Sequence, residues 1–199
     1  MLMEWLESDK EFVRNLHEKI IDVNVHKILV RGINNEDKIL AVFAAVSKLY
    51  RDKPTLEVTL STSSLQRETE LLKDVQSKYA IRGKVNSVTG AKLNKFLGVK
   101  FNAENYYRNP NLYSFSDIKI YHPVEGVLFK ESDFTKFYEL LNSDKSKTSI
   151  IVTTNDYNGR ADRLRDWADT EVVLNSKEKY PEQYLNILKN LNIEKLSYE

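Results

Sequence analysis

The stretch ILVRGINNEDKILAVFAAVSKLYRDKPTLEVTLSTSSLQRETELLKDVQSKY, Ile28 to Tyr79, decides the fold. Ile28, Leu29 and Val30 make a short apolar run that suits a buried strand, and Gly32 with Asn34-Asn35 supplies a turn and a helix cap. An apolar helix is expected from Glu36 to Arg51, and Pro54 ends that unit. Leu56, Val58 and Leu60 then alternate with Thr55, Glu57 and Thr59, which is strand periodicity. Ser61-Thr62-Ser63-Ser64 follows, with Gln66 three residues after Ser63 in the spacing of a capping box, and a helix runs on to about Tyr79. Strand, helix, strand, helix in units this short predicts a parallel sheet covered by helices.

Outward from this stretch the rhythm holds on both sides. Leu2, Trp5, Leu6, Phe12, Val13, Leu16 and Ile20 recur at helical steps, so an amphipathic helix is expected from Leu2 to Ile21. In the last third, a helix from Ser132 to Leu141 leads to a strand Ser149 to Thr153, a helix Ala161 to Ala168 and a strand Glu171 to Leu174. Pro181 fits the first turn of a closing helix. Between the halves, residues 81–129 hold Gly83, Gly90 and Gly98 and an aromatic, asparagine-rich run, with one strand suggested by the alternation at Ile118 and Ile120. The expected organisation is one three-layer, Rossmann-like α/β domain over residues 1–199, with a mostly parallel sheet flanked by helices and an inserted basic and aromatic segment, an insertion or lid, at 81–129.

Composition narrows the classes. The 199 residues are 41% apolar and 30% charged, as in ordinary globular proteins, which excludes disorder and collagen-like repeats. Without cysteine there is no thiol nucleophile, thiolate metal site or disulfide, which fits a reducing, cytoplasmic setting. No signal-peptide layout and no apolar run of membrane-spanning length is present. Net charge is +1, yet residues 31–110 carry fourteen basic against eight acidic side chains, between two acidic flanks.

Four places carry candidate chemistry. Ser61, Thr62, Ser63 and Ser64 lie where a strand ends and a helix begins, so hydroxyls, backbone amides and the helix dipole suit a phosphate, although a serine there also simply caps a helix. Thr154, Asn155 and Asp156 occupy the same position after a later strand, with Arg160 close behind, although the arginines that follow also suit pairing with nearby aspartates. From Val75 to Ala103 there is no acidic residue, while Lys78, Arg82, Lys84, Lys92, Lys95 and Lys100 bring six positive charges, and Tyr106, Tyr107 and Arg108 follow. Phosphate neutralisation with base stacking needs that mixture, and a solvated basic face produces it too. His122 and Glu125 have the spacing of an acid/base or ligand pair but lack a third partner, so His122 reads as structural. The sequence has no Gly-x-x-x-x-Gly-Lys-Ser/Thr loop, no Gly-x-Gly-x-x-Gly, no Gly-x-Ser-x-Gly and no His-Glu-x-x-His.

Two stretches carry local likenesses. Ile28 to Val46 resembles the opening strand and helix of a Toprim domain, with Arg31 at the position of that family's catalytic glutamate and no paired aspartates at Thr59 to Ser63. Ile150 to Leu174 is similar to the closing strand and loops of sugar isomerase domains, which implies a sugar-phosphate ligand, without that family's glycine-containing serine loop. Neither assigns a family. Three readings follow. The first is a binding protein for DNA or RNA, accessory to nucleic-acid processing or defence, using Lys78 to Lys100 for charge and Tyr106, Tyr107 and Arg108 for stacking. The second is a binder or isomerase of a small phosphorylated metabolite at the serine and Thr154 loops. The third is an interaction module, a homo-oligomer included, docking through helices such as the one bearing Trp5 and Phe12. None calls for a metal or cofactor, and none involves a membrane.

Overall fold

In the computed structural model, which describes residues 7–81, 85, 94–108, 115–154 and 159–199, helix α1 (Glu7–Ile21) buries the stripe Phe12, Val13, Leu16 and Ile20. Strand β1 (Lys27–Gly32) precedes helix α2 (Asn35–Asp52), which begins where Asn34, in extended conformation, accepts the Asp37 amide with its side chain. Strand β2 (Val58–Thr62) leads to helix α3 (Leu65–Lys78). The cap of α3 is Ser64, which accepts from the Arg67 N–H, not Ser63 as the capping-box spacing suggests. Strand β2 continues through Ser61 and Thr62, and this moves the helix start along by one residue.

The stretch 81–129 contributes three strands to the sheet through its described residues. It supplies β3 (Asn94–Phe96), β4 (Val99–Asn105) and β5 (Ile118–Tyr121), then a short helix α4 (Glu125–Leu128). Strand β4 pairs with β2, and β5 lies between β2 and β6, so these segments are interior to the fold. Helix α5 (Glu131–Ser143), strand β6 (Thr148–Val152), a 3₁₀ helix at Arg160–Leu164, strand β7 (Thr170–Leu174) and helix α6 (Pro181–Leu191) complete the chain. The 3₁₀ helix replaces the α-helix expected over Ala161 to Ala168. Pro181 opens α6, where its missing N–H costs nothing.

The seven strands run in the order β3-β4-β2-β5-β6-β1-β7, all neighbours parallel except β3 and β4. Alternate residues face opposite layers. Ile28, Val30, Leu60, Ile120 and Ile150 join a core with α1, α2 and α3, whereas Leu29, Tyr121 and Ile151 join one with α4, α5 and the 3₁₀ helix. This is the three-layer α/β architecture. Phe43 of α2 holds the β3–β4 hairpin, its ring 5.0 Å from Phe96 and 5.2 Å from Phe101. Among the described residues no helix is long and apolar enough to cross a membrane.

Candidate functional site

Open α/β sheets bind ligands beyond the carboxyl ends of the strands, where neighbouring strands send their connections to opposite faces. Here one such place lies between β2, whose α3 packs on one face, and β5, whose α4 and α5 pack on the other, and a second lies between β1, whose α2 packs on one face, and β6, whose 3₁₀ connection packs on the other. The occupant of the second is Lys38. The side chain is fully buried, and Nζ donates to the Gly32 carbonyl, to the Thr154 carbonyl at 2.9 Å and to Thr153 Oγ1 at 3.3 Å. Three oxygens among the described residues thus lie within hydrogen-bonding reach of one ammonium. Beside it, Glu125 at the start of α4 accepts from the backbone N–H and the hydroxyl of Thr154.

His122, directly after β5, is fully buried. Its Nδ1 lies 2.8 and 2.9 Å from the two Glu68 carboxylate oxygens, and Nε2 lies 2.7 Å from Asn35 Oδ1. The ring joins β5 to the first turns of α2 and α3. The partner that the sequence did not reveal for His122 is therefore Glu68, 54 residues away, while Glu125 serves Thr154. With His122 and Glu68 buried and Asn35 partly so, this cluster binds elements together. No group of three or more histidine, aspartate or glutamate side chains suited to a metal occurs among the described residues.

The serine loop does not converge on an open point. Ser61 is fully buried and its hydroxyl donates to Glu104 Oε1 at 2.8 Å. That carboxylate is also 2.7 Å from Lys119 Nζ, in a pair with no exposed surface. Thr62 is buried and its Oγ1 accepts from the Ser64 N–H, Ser64 caps α3, and the Ser63 carbonyl accepts from Asn105 Nδ2. Arg160 is exposed and lies over the Phe129 ring at 4.5 Å, while Asn155 and Asp156 fall outside the described residues. Local spacing signalled these hydroxyls correctly as strand-end groups, but their direction depends on β4 and β5.

The basic stretch divides. Arg82, Lys84 and Lys92 lie outside the described residues. Lys78 pairs with Glu36 at 2.5 Å; burial lowers its pKa, the Glu36 carboxylate more than offsets this, and the net shift is upward. Tyr106 is a core residue, 4% exposed, its hydroxyl donating to the Pro123 carbonyl at 2.6 Å and its ring against Phe137, so no face is free for a base. Burial also pushes its phenol well above the usual tyrosine range. Tyr107 and Arg108 are exposed, and both backbone N–H groups donate to Asn105 Oδ1. Tyr107 lines an open cavity of about 550 Å³ with Lys136 and Asp133 of α5.

Lys95 and Lys100 stand directly opposite each other across the β3–β4 hairpin, both exposed. They point away from α2, since Phe96 and Phe101 take the inward positions. On the other side of the hairpin tip, Leu97 forms a cavity of about 330 Å³ with Val13 and Ala44, rimmed by Lys10, Lys48 and Arg51. Ser47 Oγ donates to the Leu97 carbonyl at 2.8 Å and holds the tip there. Lys48, Arg51, Lys95 and Lys100 have no acidic partner among the described residues.

No protein-family model matches the chain, and no curated protein matches its sequence. Among solved structures it is similar to the large terminase of a thermophilic bacteriophage, at 12% identity and a TM-score of 0.50 over 87% of this chain and 46% of that one. The HK97 bacteriophage large terminase gives 12% identity and 0.50 over 91% and 38%. AMPPCP-bound DnaA from Aquifex aeolicus gives 15% and 0.47 over 98% and 56%. The chain spans less than half of either terminase, and at these identities the likeness establishes the fold: a seven-stranded, mostly parallel α/β sheet flanked by helices.

Proposed function

We propose that this protein binds DNA or RNA through the basic surface on both sides of the β3–β4 hairpin tip. One observation carries the reading: Lys95, Lys100, Lys48 and Arg51 gather around the tip without an acidic partner among the described residues. Like charges directly opposite on paired strands destabilise a hairpin, and an external polyanion turns that cost into binding. Lysine on an edge strand also discourages strand addition, but Lys100 lies on β4, which is paired on both sides. Tyr107 and Arg108, at the other end of β4, are the exposed aromatic and guanidinium groups nearest to this surface in sequence.

The test is fluorescence anisotropy with labelled single- and double-stranded oligonucleotides across a salt series. Each neutralised phosphate contributes about −0.9 to the slope of log K against log salt on duplex DNA and about −0.7 on single strands. Lys95→Glu with Lys100→Glu, and separately Lys48→Glu with Arg51→Glu, should each weaken binding at least tenfold and flatten the slope. Affinity unchanged in both double variants removes the proposal.

A further inference from the structure

Gly32-Ile33-Asn34-Asn35-Glu36-Asp37-Lys38-Ile39 leaves a parallel strand and opens a helix, with glycine and lysine six positions apart. The phosphate loop Gly-x-x-x-x-Gly-Lys-Ser/Thr has the same separation, and in it unpaired backbone amides cradle phosphates while the lysine reaches the terminal ones. Asp37 and Ile39 stand here at the second glycine and the hydroxyl position. We infer that this junction is a closed phosphate loop: Lys38 straps β1 to β6, and the site takes no nucleoside triphosphate.

Four features of the junction support this. Helix α2 starts at Asn35, three residues after Gly32, so only Ile33 and Asn34 are left as loop. Two of the amides that would surround a phosphate are spent, the Asp37 N–H on Asn34 Oδ1 at 3.0 Å and the Lys38 N–H on the Asn34 carbonyl at 3.3 Å. Ile33 is 3% exposed and packs with Ile187 and Leu196, which holds the short loop against α6. Lys38 itself bonds oxygens of β1 and of the residues after β6.

The glycine has its own internal reason. At φ +140°, a Cβ on Gly32 would lie 2.6 Å from the Leu174 carbonyl oxygen and 3.3 Å from the Lys38 side chain. Close packing of β1 against β7 and the lysine stem requires the bare backbone. Ile39, fully buried, offers no hydroxyl to a magnesium ion. The Asp37 carboxylate is also committed, accepting from Tyr79 and Tyr180 at 2.7 and 3.0 Å and pairing with Lys179. The glycine, the lysine and the carboxylate at the phosphate-loop positions thus each have a structural role of their own. This inference does not depend on nucleic-acid binding, and where that binding occurs it proceeds without nucleotide.

The experiment follows thermal unfolding of the full chain with 1 mM MgATP, MgGTP or MgADP. A nucleotide held at ~100 times its Kd would raise the Tm of a chain this size by about 5–10 °C. The expected shift is below about 1 °C for the wild-type protein. Lys38→Met should lower Tm by about 5 °C or more, because buried carbonyls lose their donor. Thr153→Val keeps the lysine and removes one strap partner, so it should lower Tm less and gain no nucleotide response; it serves if Lys38→Met does not fold. The double variant Asp37→Gly with Ile39→Thr completes the loop's sequence pattern and should still show no shift, since Asn34 continues to occupy the amides. Stabilisation of the wild-type protein by 5 °C, a nucleotide response gained by the double variant, or a Lys38→Met protein that melts like wild type would each overturn the inference.

Discussion

Gly32 and Lys38 show how a residue's role depends on what it approaches. A glycine at a strand–helix junction reads from sequence as a turn, and it is one, but the atoms that demand it belong to Leu174, 142 positions later. Gly32→Ala should therefore destabilise the fold by about 2–4 kcal/mol, from a positive φ that alanine rarely adopts plus a displaced β7 backbone. Urea unfolding measures this, and a loss under about 0.5 kcal/mol would mean that β7 yields freely. His122 teaches the same lesson. Its isolation in the sequence reads as structural, and the partners that make it so, Asn35 and Glu68, come from two helices that only the fold brings together.

Among elements, the strands with strong alternation and the helices with caps were legible. Asn34 at α2 and Pro181 at α6 mark their helices by local backbone chemistry alone. Strands β3 and β4 were not legible, because Asn94-Lys95-Phe96 and Val99 to Asn105 mix polar and charged residues whose burial is decided by β2 and Phe43. Polar residues on β4 and β5 become a buried network: Glu104 and Lys119 meet at 2.7 Å across β2, with Ser61 on the same carboxylate. Lys119→Met should cost about 3–5 kcal/mol, since it strands a buried carboxylate, whereas adding Glu104→Gln to it should recover a substantial part. A double-mutant cycle in denaturant tests this, and additive losses would show that the pair is not coupled.

At the scale of the whole molecule, the net charge of +1 hides a distribution that the fold reorganises. Part of the basic middle is neutralised, as at Lys78 with Glu36, and part collects around the hairpin tip with cations from α1 and α2. Acidic groups elsewhere tie distant segments and contribute stability that depends on pH. Burial raises the Asp117 pKa, but Lys147 and the Glu57 N–H lower it further; burial raises Asp162, and the Ser197 hydroxyl and the Arg31 guanidinium outweigh it. Glu199 is likewise lowered on balance, burial being overcome by the Leu196 N–H, the Tyr184 hydroxyl and Lys177. Carboxylates held below their unfolded values of 3.8 to 4.5 stabilise the native state above that range, and the contribution is lost as pH falls through the lower folded values. The urea midpoint should change little between pH 7 and 5 from these groups and drop steeply between pH 4.5 and about 3. A midpoint that is flat to pH 3 would contradict their pairing.

By itself the sequence determined the class of fold, the order of most elements and, to within one residue, the starts of α2, α3 and α6, because periodicity and capping act over three to five neighbouring residues. The tertiary structure decided which polar groups remain available. Ser61, Tyr106 and Lys119 lie within strands or just after one and Lys38 in the first turn of α2, and each is buried by partners on other elements, whereas Lys95, Lys100, Lys48 and Arg51 are left facing solvent or rimming a cavity. The physical reason is that availability depends on which side chains close over a group, and those contacts span from 15 to more than 100 residues of chain.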